Sequence, residues 1–387
     1  MKNQISLLRK ESFGGTLINA ISGKRIYLDQ EEYSLVKKSG GLLKNLINEL
    51  NIISGKVIII EPAMLPIYNF SAPDTIFFEI TRECNLTCKH CLNNSGKRLP
   101  QEFSNKQLNS IIRDICTAGV QEIRFTGGEP LMVSNIFEYI SKIRGYGLRV
   151  SIGTNGTLID NNIAQKLASV GLNSAIISVD GMEKHHDFIR GKGSFGKTMK
   201  GIKNLLDVDI SVRINIVAMK SNIKEIPTVV DYFFQRNIPV MIRRFIQSGR
   251  AKNLKDKELT REDYLLLKNE LQLFLLDEKQ IINGHYLKDE KVITRIQIPF
   301  ERYSCSAGHR GLVVLPNGDV QTCGFLGSLG EPPIGNLKTE SLAFLWQKLL
   351  ESKYIDSLRL LLSKHNTCKS CQETNCLAIA LANKGII

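Results

Sequence analysis

From residue 75 onward, the sequence alternates between short runs rich in β-branched and aromatic residues and longer amphipathic stretches. Between the runs, apolar residues recur at helical spacing, as they do from Leu108 to Ile115. A chain that alternates strands and helices in this way folds into an α/β structure around a parallel sheet. The predicted strands are 75–80, 122–126, 149–153, 175–179, 211–217 and 239–243. These units fit either an open doubly wound sheet or a partial barrel, and periodicity does not separate the two.

The chain is long enough to need more than one domain, since 387 residues exceed the roughly 250 to 300 that one hydrophobic core organises. Ahead of the alternating region, runs at 15–19 and 25–28 predict a hairpin, and helices are predicted at 31–38 and 42–50. Behind it, a helical stretch at 261–276 leads into a segment rich in cysteines and turns. The predicted domains are 1–74, 75–297 and 298–387.

Composition and charge narrow the possible functions. Hydrophobic residues make up 43% and charged residues 23%, as in compact globular proteins. No stretch approaches the roughly 20 apolar residues of a membrane-spanning helix, and the start lacks the apolar core of a signal peptide, so we expect a cytoplasmic protein without a membrane partner. The formal net charge of +13 would suit nucleic acid. Iron-bound thiolates would offset much of that excess, and we predict no nucleic-acid partner.

Nine cysteines in a chain without an export signal indicate metal or redox chemistry rather than a disulfide framework. Cys84, Cys88 and Cys91 follow the first predicted strand at Cys-x-x-x-Cys-x-x-Cys spacing. A loop with three such thiolates can wrap one face of a [4Fe-4S] cubane and leave the fourth iron open to another ligand. A zinc site with His90 as its fourth ligand is the alternative.

This triplet, in its place after the first strand, resembles the cluster loop of the radical S-adenosylmethionine (SAM) superfamily. The sequence that starts at Thr126 and ends the second strand, Thr-Gly-Gly-Glu-Pro, agrees with the resemblance. In that family, the segment binds the amino group of the methionine moiety, because glycines let the backbone approach a ligand and carboxylate and carbonyl oxygens accept from an ammonium. The resemblance therefore implies cofactor contacts at Gly127, Gly128, Glu129 and Pro130.

The third and fourth strands end in Thr-Asn-Gly-Thr and Ser-Val-Asp-Gly segments that resemble the members of this superfamily that modify peptides and proteins, including the sulfatase-maturing enzymes. The resemblance implies that Ser178 lies near the ribose, that Arg190 binds the methionine carboxylate, and that Asn155 contacts the ribose or adenine. Asp180 and His186 are interpreted as residues that stabilise the turn. The resemblance also implies a partial (β/α)6 TIM-like barrel with its site at the C-terminal ends of the strands.

The resemblance further implies the cofactors and the chemistry. In the superfamily, SAM chelates the open iron of a [4Fe-4S] cluster, an electron from that cluster breaks the bond between sulfur and C5′, and a 5′-deoxyadenosyl radical removes a hydrogen atom from the substrate. This scheme requires no acid–base pair, so the catalytic residues stay unknown. A cluster at about −400 mV or below needs a dedicated low-potential electron donor, flavodoxin or ferredoxin.

A second group of cysteines lies near the C-terminus. Cys305 and Cys323 surround a predicted hairpin with a Pro-Asn-Gly-Asp turn, and Cys368, Cys371 and Cys376 follow. The group resembles the SPASM extension or its shorter twitch form, which holds auxiliary clusters. The full extension uses more cysteines than these, so we favour one auxiliary [4Fe-4S] cluster, bound by the first two and two of the last three. Two clusters with open irons, or a rubredoxin-like or zinc site, are the alternatives.

The N-terminal region resembles the small winged-helix-like leader-recognition domain of many peptide maturases, through Phe13-Gly-Gly-Thr-Leu and Lys24-Arg-Ile-Tyr-Leu. The resemblance implies that an extended leader would add as a strand to the hairpin edge. A cap packed on the barrel is the alternative. Farther along, Arg243-Arg-Phe-Ile-Gln-Ser-Gly-Arg-Ala resembles a segment of quinone-cofactor and haem-pathway relatives, and Arg243 or Arg244 could meet the substrate or the cofactor carboxylate.

Together, these patterns predict a radical SAM enzyme that modifies a ribosomally synthesised precursor peptide, through a thioether or carbon–carbon crosslink or a related oxidation. The expected α/β architecture is a winged-helix-like domain, a partial barrel and a SPASM or twitch extension. The alternative enzyme belongs to a tetrapyrrole pathway or matures sulfatases. The alternative of another class is a non-catalytic iron-sulfur protein that binds nucleic acid.

Overall fold

The computed structural model describes residues 5–23, 25–38, 56–62, 65–66, 70–254, 259–272, 292–294 and 307–352. The strands, in chain order, are β1 (Ile5–Glu11), β2 (Gly14–Asn19), β3 (Arg25–Leu28), β4 (Lys56–Ile60), β5 (Thr75–Thr81), β6 (Glu122–Gly127), β7 (Arg149–Thr154), β8 (Ser174–Ser178), β9 (Ser211–Ala218), β10 (Val240–Arg244), β11 (Val292–Thr294), β12 (Gly311–Val314), β13 (Asp319–Gln321) and β14 (Gly335–Asn336). The α-helices are α1 (Gln30–Lys38), α2 (Asn105–Thr117), α3 (Ile136–Gly145), α4 (Asn161–Ser169), α5 (Glu183–Arg190), α6 (Ser194–Leu206), α7 (Ile226–Phe234), α8 (Arg261–Gln272), α9 (Gly324–Ser328) and α10 (Leu342–Leu350).

The larger sheet contains the predicted partial barrel. Strands β5 to β10 lie side by side in chain order, and each neighbouring pair is parallel. The helices between them cover the outer face of the sheet and share its apolar core. The six predicted strands are confirmed, with ends that differ from the observed ones by no more than one residue. The α/β class and the partial barrel are therefore confirmed.

Burial along the barrel strands alternates with a period of two. In β9, Ile214 and Ile216 lie in the core and are fully buried, whereas Arg213, Asn215 and Val217 on the other face keep partial exposure. Strands β6 and β8 show the same alternation. The partly exposed residues of the second face line the interior of the partial barrel, which is called the lumen below.

The first barrel helix shows how local sequence sets the elements. Helix α2 begins at a capping box, in which the Ser104 side chain accepts from the Gln107 amide and the Gln107 side chain accepts from the Ser104 amide. Its predicted apolar face is buried, and it includes Cys116, whose pKa burial raises to about 12. That cysteine is therefore a buried thiol within the apolar face of the helix. In the described parts of the chain, no helix has the length and apolarity needed to cross a membrane.

The smaller sheet belongs mainly to the N-terminal region and has the strand order β11-β3-β2-β1-β4. Strands β2 and β3 form the predicted hairpin, and α1 confirms the first predicted helix. The helix predicted at 42–50 lies outside the described residues. Strand β11 comes from the segment assigned to the barrel and pairs in parallel with Arg25–Tyr27, on the outer edge of the hairpin. The domain boundaries stay predictions.

A buried ion network joins this small sheet to the barrel. Arg9 lies 2.6 Å from Glu11 and 2.8 Å from Asp74. Asp74 also pairs with Arg25 and Arg310, each at 3.0 Å. Burial alone would raise the pKa of Asp74, but these three arginines hold it well below its usual range. Because Asp74 directly precedes β5, the N-terminal sheet docks at the N-terminal ends of the barrel strands.

The C-terminal region extends the barrel sheet. Strands β12 and β13 form the predicted antiparallel hairpin, and β14 pairs with β13. Strand β12 also pairs in parallel with β5, which places the hairpin beside the first barrel strand. Trp346 on α10 is buried and donates to the Phe70 carbonyl at 3.0 Å. The hairpin that precedes Cys323 is thus fixed beside β5.

Candidate active site

The cysteine triplet lies on the loop that leaves the C-terminal end of β5. The loop is held by its own backbone, since the Cys84 amide donates to the Gly96 carbonyl at 3.0 Å and the Cys91 amide donates to the Cys88 carbonyl at 3.2 Å. The Ser95 amide also donates to Cys91 Sγ at 3.3 Å. The three sulfurs are therefore carried by one folded loop, at the end of the barrel where the sequence predicts the site.

Burial disfavours negative charge on two of these sulfurs. It raises the pKa of Cys84 to about 11, and the other two thiols add to the shift. Burial also raises the pKa of Cys88, against the opposing charge of Arg190. Iron binding removes that penalty by replacing the protons. Among the described residues, no group of three His, Cys, Asp or Glu side chains, the cysteine triplet included, converges as the ligands of one ion do, and His90 Nε2 lies 2.8 Å from Asp180 Oδ2.

The Gly-Gly-Glu-Pro segment packs directly on the cysteine loop. The Gly128 amide donates to the Thr81 carbonyl at 2.7 Å, and the Glu129 amide donates to the Glu83 carbonyl at 2.7 Å. A Cβ atom on Gly128 would lie 2.0 Å from the Glu83 carbonyl oxygen, and Gly127 has a φ of 118°. Only glycines allow the end of β6 to approach the loop so closely.

Glu129 is fully buried and joins the ends of β6 and β7. Its carboxylate accepts from Thr154 Oγ1 at 2.7 Å and from the Asn155 amide at 2.9 Å. Burial raises the pKa of Glu129, and these hydrogen bonds oppose the shift. Pro130 follows in a short 3-10 turn. The carboxylate is thus fixed at the rim of the barrel, and its contact with an ammonium group stays a prediction.

Asn155 extends from the end of β7 toward the cysteine loop. Its Nδ2 donates to Asn85 Oδ1 at 2.8 Å and lies 4.0 Å from Cys84 Sγ. Its Oδ1 accepts from the amide and the hydroxyl of Thr157, at 2.9 and 2.6 Å. The structure therefore brings Asn155 to the cysteine loop, as the sequence predicts, and its contact with a nucleoside stays a prediction.

Arg190, the last residue of α5, reaches the same loop from the other side. Its Nη1 lies 3.8 Å from Cys88 Sγ, and its Nε donates to Asp180 Oδ2 at 2.6 Å. The guanidinium is therefore next to the position of the predicted cluster, where a chelating carboxylate would bind. That carboxylate contact stays a prediction.

Asp180 has a larger part in this site than the sequence indicates. It is fully buried, lies 2.8 Å from His90 Nε2 and accepts from the Val217 amide at 2.8 Å, in addition to its bond with Arg190. Burial alone would raise the pKa of Asp180, but Arg190 and His90 hold it well below its usual range. Asp180 therefore fixes the arginine as well as the turn. Nearby His186 is also buried, which lowers its pKa to about 4.

Gly249 and Arg250, which follow β10, contact the backbone of the cysteine loop. The sequence did not predict this contact. Arg250 Nε donates to the Cys88 carbonyl at 2.9 Å, and its Nη1 donates to the Ser95 carbonyl at 2.6 Å. Gly249 has a φ of 58° and lies so close that a Cβ atom would be 2.3 Å from the Leu92 carbonyl oxygen. The sequence identifies the Gly-Arg-Ala segment only through its resemblance to relatives. Its contact with the loop has no local sequence signal, because the residues that it contacts lie about 160 positions earlier in the chain.

Ser178 and Arg243 lie at the rim of the lumen, on neighbouring sides of Asn215. Ser178 ends β8 and pairs with Asn215 in the sheet register. Arg243 Nε donates to Asn215 Oδ1 at 2.8 Å. The side chain of Arg244 lies outside the described residues. The predicted ribose contact of Ser178 and the predicted carboxylate contact of Arg243 stay predictions, at positions that face the same space.

Of the cysteines predicted to bind an auxiliary cluster, Cys323 is the one within the described residues. It is the N-cap of α9, and its sulfur accepts from the Phe325 amide at 3.4 Å. The preceding Thr322 donates to the Glu331 carboxylate at 2.7 Å, which fixes the end of the hairpin. The remaining four lie outside the described residues, and their ligation stays a prediction: Cys305, Cys368, Cys371 and Cys376.

Comparison with protein families matches two parts of the chain. The radical SAM superfamily matches residues 78–233, which hold the cysteine triplet and most of the barrel. SPASM, an iron-sulfur cluster-binding domain, matches residues 305–376, which begin and end at predicted cluster cysteines. Both resemblances predicted from the sequence are confirmed.

Similar curated proteins have different substrates. An Fe-coproporphyrin III synthase of Methanosarcina barkeri (strain Fusaro / DSM 804) is 31% identical over 52% of this chain, and the match spans only 51% of that protein. The mycofactocin maturase MftC of Mycolicibacterium smegmatis is 29% identical over 66% of this chain and 65% of that protein. Among solved structures, Streptococcus suis SuiB bound to its precursor peptide SuiA has a TM-score of 0.64 at 21% identity, over 88% of this chain and 87% of that chain. That likeness shows a shared fold.

Proposed function

We propose that this chain, which belongs to the radical SAM superfamily and carries a SPASM extension, modifies a ribosomally synthesised precursor peptide. The proposed product is a thioether or carbon–carbon crosslink or a related oxidation. Its cofactors are a [4Fe-4S] cluster with SAM, and at least one auxiliary [4Fe-4S] cluster. A low-potential flavodoxin or ferredoxin is the proposed electron donor.

The described residues of the site fit these cofactors. Cysteine thiolates are the usual ligands of the irons in a [4Fe-4S] cluster. Three of them, from Cys84, Cys88 and Cys91, would bind three irons and leave the fourth iron open to a ligand from outside the protein. Beside them, Nδ1 of His90 and the hydroxyl of Ser95 are buried and have no hydrogen-bond partner within the part of the chain that the structure describes. Buried polar atoms normally have partners, so a polar group bound beside the loop would satisfy them.

The residues around the loop have complementary roles in this proposal. When bound, the two cofactors supply one-electron abstraction of hydrogen from an unactivated carbon. Glu129 and the backbone around Gly127 would hold the methionine ammonium, and Arg190 would hold its carboxylate, in the orientation set by Asp180. Asn155 and Ser178 would contact the nucleoside. The lumen below these residues would receive the substrate and limit access of water.

The observation that best supports a peptide substrate is the share of the chain that aligns with SuiB. Residues 75–387 make up 313 of the 387 residues, so a match over 88% of this chain must include part of the N-terminal region. The match to the Fe-coproporphyrin III synthase covers only 52% of the chain and requires no such region. Part of the region ahead of the barrel therefore aligns with an enzyme whose structure contains a precursor peptide, which supports a peptide substrate.

The sheet edges indicate where a leader peptide would add. The outer edge of the hairpin is covered at Arg25–Tyr27 by β11. Among the described strands, β4 pairs only with β1, so no described strand lies along its other edge. Ile59 on β4 is 40% exposed there. Exposed apolar edge strands pair readily with another extended chain, and we propose that the leader adds along β4.

Peptides encoded beside the gene test this proposal. Reconstituted protein is incubated with each peptide, SAM and a strong reductant, and the products are analysed by mass spectrometry. A loss of two hydrogens marks a crosslink. Ile59→Lys should reduce modification at least about tenfold, because a charge blocks strand addition, while SAM cleavage without peptide is unchanged. Leu206→Lys, at a similarly exposed leucine of α6, is the matched control and should modify the peptide normally.

A tetrapyrrole substrate is the second candidate, favoured by the 31% identity to the Fe-coproporphyrin III synthase. The same assay decides between the two. Turnover of an added porphyrin, with no mass change in any adjacent peptide, would contradict the peptide proposal. Equal peptide modification by the Ile59→Lys and Leu206→Lys variants would contradict the β4 edge alone.

We further propose a cytoplasmic location and no nucleic-acid partner, so binding to DNA or RNA that falls steeply with salt would count against this assignment.

A further inference from the structure

Helix α5 presents one face to the cysteine loop and the opposite face to solvent. Residues two positions apart on an α-helix point about 200° apart, because the helix has about 3.6 residues per turn. Arg190 is buried, and its Nη1 lies 3.8 Å from Cys88 Sγ. Phe188, two residues earlier, is 57% exposed. The helix therefore carries a large apolar side chain on its outer face, less than one turn from the arginine that contacts the cysteine loop.

Lys89 joins this exposed ring to the cysteine loop. It directly follows Cys88, and its side chain is exposed. Its amide donates to the Ile189 carbonyl at 2.9 Å, and its Nζ lies 3.3 Å from the centroid of the Phe188 ring. An ammonium group is attracted to the face of an aromatic ring, which carries partial negative charge. The ring of Phe188 is therefore fixed at the outer surface of the loop that would hold the cluster.

Exposed lysines lie around Phe188. Lys184 is four residues earlier on α5, which places it on the same face of the helix. Lys192 lies two residues beyond the end of the helix. The side chains of both are exposed, as is that of Lys89. These three lysines and Phe188 are called the outer patch below.

The carboxylates of the same helix differ in their surroundings. Asp187 accepts from the Phe195 amide at 2.8 Å and from Ser194 Oγ at 3.2 Å, so it holds the start of α6. Glu183 is exposed, but it is the first residue of α5 and lies more than one turn from Phe188. The outer patch thus combines three exposed lysines with one apolar ring, and the carboxylate next to that ring in the chain is directed to the protein's own backbone.

The position of the outer patch indicates a surface for a protein that delivers electrons. Interfaces commonly have an aromatic side chain at the centre and charged side chains at the rim. Complexes for electron transfer bury less area than most other specific complexes, so a small patch is sufficient. In the proposed function, SAM and the substrate occupy the side of the loop that faces Glu129, Asn155 and the lumen. A reductant therefore has to approach the cysteine loop from its outer side.

We propose that the outer patch is the docking surface of an acidic flavodoxin that reduces the cluster on the cysteine loop. This inference rests on the proposed function, which requires an outside electron donor for that cluster. An acidic partner surface complements the three lysines. A flavodoxin also exposes the aromatic edge of its flavin, and aromatic rings pack favourably edge to face. At each encounter, one electron passes from the reduced flavin to the cluster, and no bond or proton of this protein changes.

Flavodoxin binding tests the proposal without radical chemistry. The probe is an oxidised, FMN-loaded bacterial flavodoxin, titrated by calorimetry into reconstituted full-length protein at low ionic strength. We expect binding that weakens as salt is added, because the complementary charges are screened. Phe188→Ala and Lys192→Glu should each weaken binding at least about fivefold, as the loss of a central interface residue does. Phe188→Tyr should keep the affinity of wild type, because it retains the ring.

Two variants at the other end of the barrel are matched controls. Phe234→Ala removes a ring that is 44% exposed at the last residue of α7, and Lys38→Glu reverses an exposed charge at the end of α1. Both should bind flavodoxin as wild type does. Iron content and SAM cleavage driven by dithionite should be unchanged in every variant. Cleavage driven by reduced flavodoxin should fall in Phe188→Ala and Lys192→Glu as binding falls.

The outcomes separate this surface from the proposed function. Flavodoxin binding that depends on the outer patch, in a protein that cleaves no SAM with dithionite, would support the surface and contradict the radical chemistry. No flavodoxin binding, or equal binding by Phe188→Ala, Lys192→Glu and wild type, would overturn the surface even where dithionite-driven cleavage supports the proposed function. Binding of a ferredoxin in place of flavodoxin would overturn the choice of partner. An equal fall in dithionite-driven cleavage would also overturn the surface, because the residues would then act on the cofactor site.

Discussion

Replacement of Asp180 by asparagine tests whether this carboxylate orients Arg190 for cofactor binding. Asp180 is fully buried, accepts from Arg190 Nε at 2.6 Å and from the Val217 amide at 2.8 Å, and lies 2.8 Å from His90 Nε2. Asparagine has nearly the same shape and one acceptor fewer. The variant therefore leaves a buried guanidinium beside a neutral amide.

The structure sets the size of the effect. Removal of one partner from a buried ion pair costs about 3 to 5 kcal/mol, and retained neutral hydrogen bonds place Asp180→Asn near the lower end, at about 3 kcal/mol. For a domain of this size, that change lowers the melting temperature by about 6 to 12 °C. Loss of a fixed guanidinium fork should also weaken SAM binding about tenfold or more, because a bidentate charged contact contributes that much affinity.

Three measurements on the reconstituted protein separate positioning from simple folding: iron content, thermal denaturation and calorimetric SAM binding. The expected result is unchanged iron, a lower melting temperature and weaker SAM binding, with partial recovery of binding in Asp180→Glu. Asp207→Asn is the control, because Asp207 pairs with Lys203 on the surface and such pairs contribute at most about 1 kcal/mol. Normal SAM affinity in a destabilised Asp180→Asn protein would refute the positioning role.

Three further variants test other parts of the site and fold. Cys88→Ala should abolish cleavage of SAM to 5′-deoxyadenosine, because two thiolates do not hold a three-coordinated cubane; full activity would exclude the assignment. Arg250→Gln should increase hydrogen exchange in the cysteine loop, because two charged hydrogen bonds worth about 1.5 to 3 kcal/mol each are lost; exchange equal to that of wild type would contradict the clamp. Glu122→Gln tests pH dependence: burial opposes ionisation, but Arg124 and Arg149 lower the pKa of Glu122 to about 2. A carboxylate whose pKa is lower in the folded state stabilises the fold at pH values above its unfolded pKa. The free energy of unfolding of the wild type should therefore exceed that of Glu122→Gln by about 3 kcal/mol near neutral pH, and this difference should shrink as the pH falls below about 4.5.

The barrel could be predicted from the sequence because each of its strands has a strong local signal. Parallel strands covered by helices are rich in β-branched residues, and the amphipathic period of the helices is equally local. The cysteine triplet and Gly-Gly-Glu-Pro could also be located, because each occupies a fixed place relative to a strand end. Their close contact then follows from the fold, since the C-terminal ends of β5 and β6 lie side by side.

Other features depend on pairings between distant parts of the chain and leave no local signal. Arg250 reaches a carbonyl about 160 residues earlier, and β12 joins β5 across more than 230 residues. Asp180 is visible in the sequence as a turn residue, but its bond to Arg190 depends on how α5 returns to the barrel. Strand β11 is too short to predict, with three residues. Long-range contacts of this kind require the assembled fold.

The position of the N-terminal sheet constrains any precursor peptide that it recognises. The sheet docks beside Asp74, at the start of β5, whereas Cys84 lies beyond the end of that strand. The seven residues of β5 span about 23 Å at about 3.3 Å per residue. A leader bound on β4 therefore needs at least about seven extended residues between its recognised segment and the residue that is modified. Precursor variants with shortened spacers should lose modification below that length while leader binding is retained, and modification of a peptide with adjacent segments would contradict recognition at this sheet. Deletion of the N-terminal domain does not answer the question, because it also removes Arg9 from the buried network around Asp74 and would destabilise the barrel by itself.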